Sequence, residues 1–233
     1  MGVIGGDMEY DEVARAESER GQLVLRERRD PDRGNAPAVL ELRVNGVFVM
    51  DTFEAGSEKG LATVALKQVE NPRSVIVGGL GLGFTMHEVL ADMRVEKLVV
   101  VEIEDALVQW MRGGTVPHGP SYLADERVSV VTADIRVAMA EATPAAYDLV
   151  LLDVDNGPGF LVYEENGAVY QREFLEQVRA ALRPGAALGV WSASGSPELQ
   201  SEMREVFGNV VAIPHDVTLQ SRDESYWLYL SRV

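Results

Sequence analysis

From residue 54 onward the chain alternates segments whose apolar residues recur every three or four positions with short, unbroken apolar runs. The runs predict strands over 74–79, 97–102, 128–132, 147–153, 186–192, 209–214 and 225–231. The periodic segments predict helices over 54–69, 84–93, 104–112, 134–142, 168–182 and 197–207, the fifth with Phe174, Leu175, Val178 and Leu182 on one face. Strands that are apolar throughout and alternate with helices imply a mostly parallel sheet covered on both faces. The last two strands have no helix between them, so they should close one edge as an antiparallel hairpin.

The first fifty residues have a different texture. Residues 9–20 read as a short polar helix, and "QLVLRERR" and "AVLELRVNGVFVMDT" then alternate apolar and polar positions. Asn45-Gly46 suits a tight hairpin turn, which predicts a small antiparallel β element over 22–52 with "DPDRGNAP" as a longer loop. The expected division is an N-terminal helix and β-hairpin extension over 1–53 and an α/β ligand-binding domain over 54–233.

Composition narrows the chemistry. A chain of 233 residues with 46% hydrophobic content can bury one sizeable core with a modest appendage. The net charge of −16 argues against a protein that grips nucleic acid phosphates. With no cysteine, thiol nucleophiles, disulfides and zinc–thiolate sites are excluded together, and the three histidines, His87, His118 and His215, lack metal-ligand spacing, so no metal is expected. They read as structural, with His118 nearest the expected ligand edge, and Trp110 and Met111 read as packing. No basic segment followed by an apolar core opens the sequence, and no apolar run approaches bilayer length. The expectation is a soluble, cytoplasmic protein with a small-molecule partner and neither nucleic acid nor membrane.

The stretch "VIVGGLGLGFTMHEVL" places Gly79, Gly81 and Gly83 just beyond the first strand of the sheet, where ligands sit in doubly wound folds. A dinucleotide fingerprint would need glycine at Phe84 or Met86, and no Gly-Lys-Ser/Thr follows for a phosphate loop. The G-x-G-x-G spacing is the form found in S-adenosylmethionine (SAM) proteins. Glu102 ends the next strand and is placed to accept ribose hydroxyls, with a solvated carboxylate as the plain alternative. Asp134, after the third strand, can take an adenine amino group, cap the next helix, or both, while Ile103 and Ile135 can flank the purine. Asp153 ends the fourth strand, and Asp155 and Asn156 follow in the long loop 154–167, a candidate lid. Acids at such a mouth can bind an ammonium group, take a proton from a nucleophile, or simply be solvated.

Taken together, "VIVGGLGLGFTMHEV", "VEIE", "TAD" and "YDLVLLDVDNGP" followed by "FLEQVRAALRPG" resemble the spermidine synthase-like branch of the class I SAM-dependent methyltransferase superfamily. The resemblance implies a Rossmann-like class I methyltransferase fold, with Gly79, Gly81, Gly83, Glu102, Ile103, Asp134, Ile135 and Asp153 around SAM or decarboxylated SAM. It extends to the hairpin "LRVNGVFVMDT", an element that often joins dimers in that family, so the resemblance implies a homodimer. The departures carry weight. Leu82 stands where the family's G-G-G-D-G has aspartate, and Asn156 where D-S-S-D-P has its last acid. "TLQSRDES" replaces the tyrosine-proline polyamine segment, and "VFVMDTFEAGSEKG" lacks the usual glutamine and acidic-tyrosine run.

Leucine at 82 removes a charge that would repel the carboxylate of intact SAM, and leaves backbone N–H groups to receive it. The expectation is therefore methyl transfer from intact SAM to a small-molecule nitrogen or oxygen nucleophile. Asp153 would orient the acceptor and take its proton, and Asp155 and Asn156 would help hold it. The alternatives are aminopropyl transfer from decarboxylated SAM to a di- or polyamine, 3-amino-3-carboxypropyl transfer, and a non-catalytic adenosyl-ligand-binding protein. No Asn/Asp-Pro-Pro-aromatic motif points to a nucleic acid base as substrate.

Overall fold

In the computed structural model, residues 8–33, 36–219 and 222–233 are described. Residues 1–7, on which the reading of the N-terminus partly rests, fall outside that set, as do 34–35 of the polar insert and 220–221 of "TLQSRDES". Two sheets organise the chain. The first is an antiparallel meander of β1 (Glu9–Ser18), β2 (Gly21–Arg29), β3 (Val39–Val44) and β4 (Val47–Asp51).

Residues 9–20 therefore do not form the helix their composition suggested. β1 is an outer strand with exposed or half-buried residues throughout, so no inward apolar face marks it in the sequence. Its Glu, Ala and Arg residues favour helix locally, and the ladder against β2 from Glu9–Arg29 to Ser18–Gly21 overrides that preference. The Asn45-Gly46 turn joins β3 to β4 as expected, both residues with positive φ (51° and 77°).

The second sheet contains β5 (Ser74–Gly78), β6 (Lys97–Glu102), β7 (Val128–Thr132), β8 (Tyr147–Leu152), β9 (Leu182–Ser192), β10 (Val211–Leu219) and β11 (Arg222–Arg232). Their spatial order is β10-β11-β9-β8-β5-β6-β7. β5 to β9 are parallel, and β11 and β10 close one edge antiparallel. This is the mostly parallel seven-stranded Rossmann-like sheet with a C-terminal hairpin that the sequence implied. The chain leaves β5 in one direction through β6 and β7, then returns to β8 on the other side, so the switch point lies between β5 and β8.

Among the described residues seven α-helices cover the sheet: α1 (Gly56–Leu66), α2 (Phe84–Leu90), α3 (Asp105–Gly113), α4 (Gly119–Leu123), α5 (Ile135–Ala140), α6 (Arg172–Ala181) and α7 (Pro197–Phe207). Strand periodicity divides the core: Val75, Val77, Leu149 and Leu151 join the cluster with α1, α2 and α3, whereas Ile76, Val150 and Leu152 join α5, α6 and α7. Leu23, Leu25, Leu40, Leu42, Val44 and Met50 of the meander belong to the first cluster, so both sheets share that core. Among the described residues no helix is long and apolar enough to cross a membrane.

One ion pair fastens the β1–β2 turn onto the tip of β6. Arg20 donates from Nε to Glu104 Oε1 at 2.7 Å and from its terminal nitrogen to the Ile103 carbonyl at 2.8 Å. Asn45 braces this turn, accepting from Gln22 N and donating to Arg20 O. Arg20→Ala would strand a Glu104 side chain that is only 6% exposed. Chemical denaturation of Arg20→Ala should show a loss of about 1–3 kcal/mol, the low end reflecting the exposed guanidinium. The double variant R20A/E104A should recover most of it, and equal stability of R20A and wild type would contradict this docking role.

Candidate active site

A cavity opens between the carboxyl ends of β5, β6 and β8 and the inner face of the meander. Gly79, Gly81, Glu102, Ile103, Asp134 and Ile135 line it from the sheet side, and Met50 with Val49 from β4. Asp153, Asp155, Glu58, Glu104, Tyr163 and Trp191 complete the polar and aromatic wall.

The glycines are required by contact and conformation. Gly79 has φ +94°, and a Cβ there would stand 2.0 Å from the Asp153 carbonyl oxygen. At Gly81, φ +49°, a Cβ would meet the Met50 sulfur at 2.6 Å. The turn's amides are already engaged: Gly79 N–H donates to Val101 O (2.8 Å), Leu80 N–H to Glu102 Oε2 (2.9 Å) and Gly83 N–H to Leu80 O (2.8 Å). Leu82 N–H points at the Met50 sulfur at 3.3 Å, and the Leu82 side chain is fully buried. The bare amides expected to receive a SAM carboxylate are thus largely consumed. His118 donates from Nε2 to the Leu82 carbonyl oxygen (2.7 Å), bracing this turn from outside the cavity lining.

Glu102 is fixed by two backbone donors, Leu80 N–H on one oxygen and Glu104 N–H (2.8 Å) on the other. Burial raises its pKa, against which these backbone hydrogen bonds pull down. Each carboxylate oxygen keeps a free lone pair for a ligand hydroxyl. Asp134 caps α5, accepting from Arg136 N–H at 2.8 Å, and its carboxylate also accepts from the Arg136 guanidinium at 2.6 Å. Burial pushes it up, but the Arg136 bonds win and its pKa is lowered. The helix-capping role is therefore present, in a residue that also lines the cavity beside Ile103 and Ile135.

At the other end lie two desolvated carboxyls, Glu58 buried and Asp153 half-buried. Asp153 accepts from the Thr85 hydroxyl at 2.6 Å, and that hydroxyl lies 3.3 Å from the Glu58 carbonyl oxygen. Glu58, on the first turn of α1, is 5% exposed and accepts from the Ser57 hydroxyl at 2.7 Å. Neither is ion-paired among the described residues. Desolvation pushes Asp153 up to about 6, with the Thr85 bond opposing. Desolvation, then the charge of Asp153, pushes Glu58 up to about 7. Trp191 walls the same cavity and packs on Tyr226, ring centroids 4.9 Å apart.

Asp155 and Asn156 are placed differently. Asp155, at φ +59°, turns its carboxylate inward to its own loop: it accepts from Asn156 N, Val162 N, Tyr163 N and Asn166 Nδ2 at 2.6–3.2 Å. Asn156 is absent from the cavity lining, and its amide donates to the Phe48 carbonyl of β4 at 3.2 Å. The first holds the loop in shape and the second ties it to the meander. Glu58, Glu104 and Trp191 were missed because no motif marks them. An acid in the first turn of a helix reads as a dipole partner, and only the fold shows that it points to Asp153.

Three comparisons bear on this geometry. The spermine/spermidine synthase domain profile matches residues 54–211. A polyamine aminopropyltransferase 2 of Pseudomonas aeruginosa is 33% identical over 134 residues, 56% of this chain and 36% of that one. A putrescine N-methyltransferase 3 of Nicotiana tabacum is 33% identical over 125 residues, 53% of this chain and 31% of that one. The chain thus spans about a third of the length of these curated relatives. Among solved structures, the spermidine synthase from Thermotoga maritima superposes with TM-score 0.78 at 17% identity, over 95% of this chain and 73% of that one. The expectation of methyl transfer from intact SAM is overturned by the synthase profile and the aminopropyltransferase relative. The inference from Leu82 failed because it counted amides that Met50, Glu102 and the turn itself already occupy.

The Glu58–Asp153 pair makes a pH prediction. Because folding raises both pKa values, the native state binds more protons than the unfolded chain between about pH 4 and 7. Their contribution is intact below pH 4 and is lost as pH rises through the folded values. Melting temperatures of Glu58→Gln and wild type should therefore nearly coincide at pH 4, with the variant the more stable at pH 8. A gap independent of pH would contradict the raised pair.

Proposed function

The chain belongs to the spermine/spermidine synthase family, and from that premise we propose that it transfers an aminopropyl group from decarboxylated SAM to a di- or polyamine. The observation that carries this reading is the desolvated pair Glu58 and Asp153 in the same cavity as the glycine turn. Two carboxyls without a cation suit an ammonium group, and they oppose the carboxylate that distinguishes intact SAM from its decarboxylated form. Glu58 thereby supplies an acid that Leu82 does not. Trp191 adds an aromatic wall for an alkylammonium chain. The small-molecule partners named for the two curated relatives, polyamine and putrescine, have the same amine chemistry.

The residues present fit an adenosyl ligand. Gly79 and Gly81 let the turn's backbone lie directly against the cavity, Ile103 and Ile135 add apolar lining beside Asp134, and Glu102 keeps lone pairs for ribose hydroxyls. In the transfer, a neutral acceptor amine attacks the propyl carbon bound to the sulfonium. The C–N bond forms as the C–S bond breaks, and the sulfur keeps the electron pair and leaves as neutral 5′-methylthioadenosine. The secondary ammonium so formed loses its proton to Asp153, whose raised pKa suits a base working near neutrality. Thr85 holds that carboxylate in orientation, and the meander and loop 154–167 keep water from the sulfonium.

Incubation with putrescine and decarboxylated SAM should yield 5′-methylthioadenosine and an aminopropylated amine, with no turnover on intact SAM. Asp153→Asn should weaken binding of decarboxylated SAM and, at saturating substrates, still cut kcat by about 100-fold or more. S-adenosylhomocysteine as product, or full activity of Asp153→Asn, would overturn the assignment.

A further inference from the structure

Besides Arg28 Nε and Trp191 Nε1, the Tyr163 hydroxyl is the buried side-chain group without a hydrogen-bond partner among the described residues. Its position is not accidental. The Tyr163 N–H donates to Asp155 Oδ2 at 3.2 Å, and the neighbouring Val162 N–H to Asp155 Oδ1 at 2.6 Å, so the loop's internal anchor sets where the ring stands. The ring lines the cavity, and its hydroxyl feels the charges of Glu104, Arg20, Asp155 and Glu102, which places it at the Glu102 end. The nearby acceptors have other partners: Glu104 takes Arg20 and Ser18, and Asp155 takes its own loop. Burial, followed by the charge of Glu104, holds the phenol protonated, pushed up to about 12, so it is a standing hydrogen-bond donor. A buried donor with nothing to give to is costly, and a ligand oxygen relieves that cost.

We propose that Tyr163 is a binding residue for the sugar of the adenosyl ligand, donating to a ribose hydroxyl that in turn donates to Glu102. This rests on the adenosyl-site reading above and deepens it. The chain of donors, phenol to sugar hydroxyl to buried carboxylate, satisfies each group in turn and places the sugar between the tip of β6 and the loop after β8. Binding would then tighten loop 154–167 onto the ligand through one hydrogen bond from a ring that Asp155 has already positioned. It also makes the site selective for ribonucleosides over deoxyribonucleosides from both sides of the sugar.

The test is calorimetric titration of wild type and Tyr163→Phe with 5′-methylthioadenosine and its 2′-deoxy and 3′-deoxy analogues. Tyr163→Phe should weaken 5′-methylthioadenosine binding about tenfold. One of the two deoxy analogues should bind wild type and variant equally, identifying the hydroxyl that Tyr163 touches. The ligand-free melting temperature should stay level or rise, because the variant deletes an unsatisfied hydroxyl; a purely structural tyrosine would lower it. Undiminished binding of 5′-methylthioadenosine by Tyr163→Phe overturns this inference alone. Absence of heat with wild type overturns the adenosyl site and this inference together.

Discussion

The cavity is organised by one backbone contact, the passage of Gly79 over the carbonyl of Asp153. β5 and β8 are parallel neighbours that leave the sheet at the same level, and Asp153 N–H donates to Gly78 O at 2.8 Å. Only a residue without a side chain can cross there, because a Cβ would stand 2.0 Å from the carbonyl oxygen. That crossing brings the glycine turn and the Asp153 carboxyl to one point. Thr85, on the first turn of α2, then reaches Asp153, and α1 packs against α2 so that Glu58 faces the same space. The acidic end of the site thus follows from strand order and one tight approach.

The other end is held from outside the sheet. The meander contributes Met50 against Gly81 and Leu82 N–H, Arg20 against Glu104, and the Phe48 carbonyl to Asn156. These contacts turn an open strand-end crevice into an enclosed one, where a charge is felt more strongly than in water. Enclosure is also why the two ends differ. Glu102 and Asp134 are satisfied by backbone amides and Arg136, whereas Glu58 and Asp153 have the Ser57 and Thr85 hydroxyls, with the Glu58 amide, and no cation among the described residues. In the proposed function the first pair would meet neutral hydroxyl and amino groups, and the second a cation.

The sheet was legible because each strand carries its own unbroken apolar run and each glycine, acid and cap sits at a strand end. Glu102, Asp134 and Asp153 could be found that way, since the position after a parallel strand is itself a prediction of place. The polar strand β1 was not legible, because an outer strand with no fully buried residue carries no strong apolar alternation. Nor was Glu58, which meets Asp153 across more than ninety residues of chain. Leu82 misled for a related reason: its backbone amide looked free in the sequence, and its partner is a methionine sulfur thirty-two residues earlier on another sheet. Local rules read positions, and which of those positions are already satisfied is decided by tertiary contact.

The Glu58–Asp153 pair must respond when an amine arrives. A cation beside two half-protonated carboxyls draws them into the charged form, so binding must expel protons. Titrating decarboxylated SAM into the protein near pH 6.5, in buffers of differing ionisation enthalpy, measures this directly. The predicted result is proton release on binding, abolished or sharply reduced in Glu58→Gln. Binding with no proton exchange, or with proton uptake, would contradict the claim that this pair receives the ammonium group.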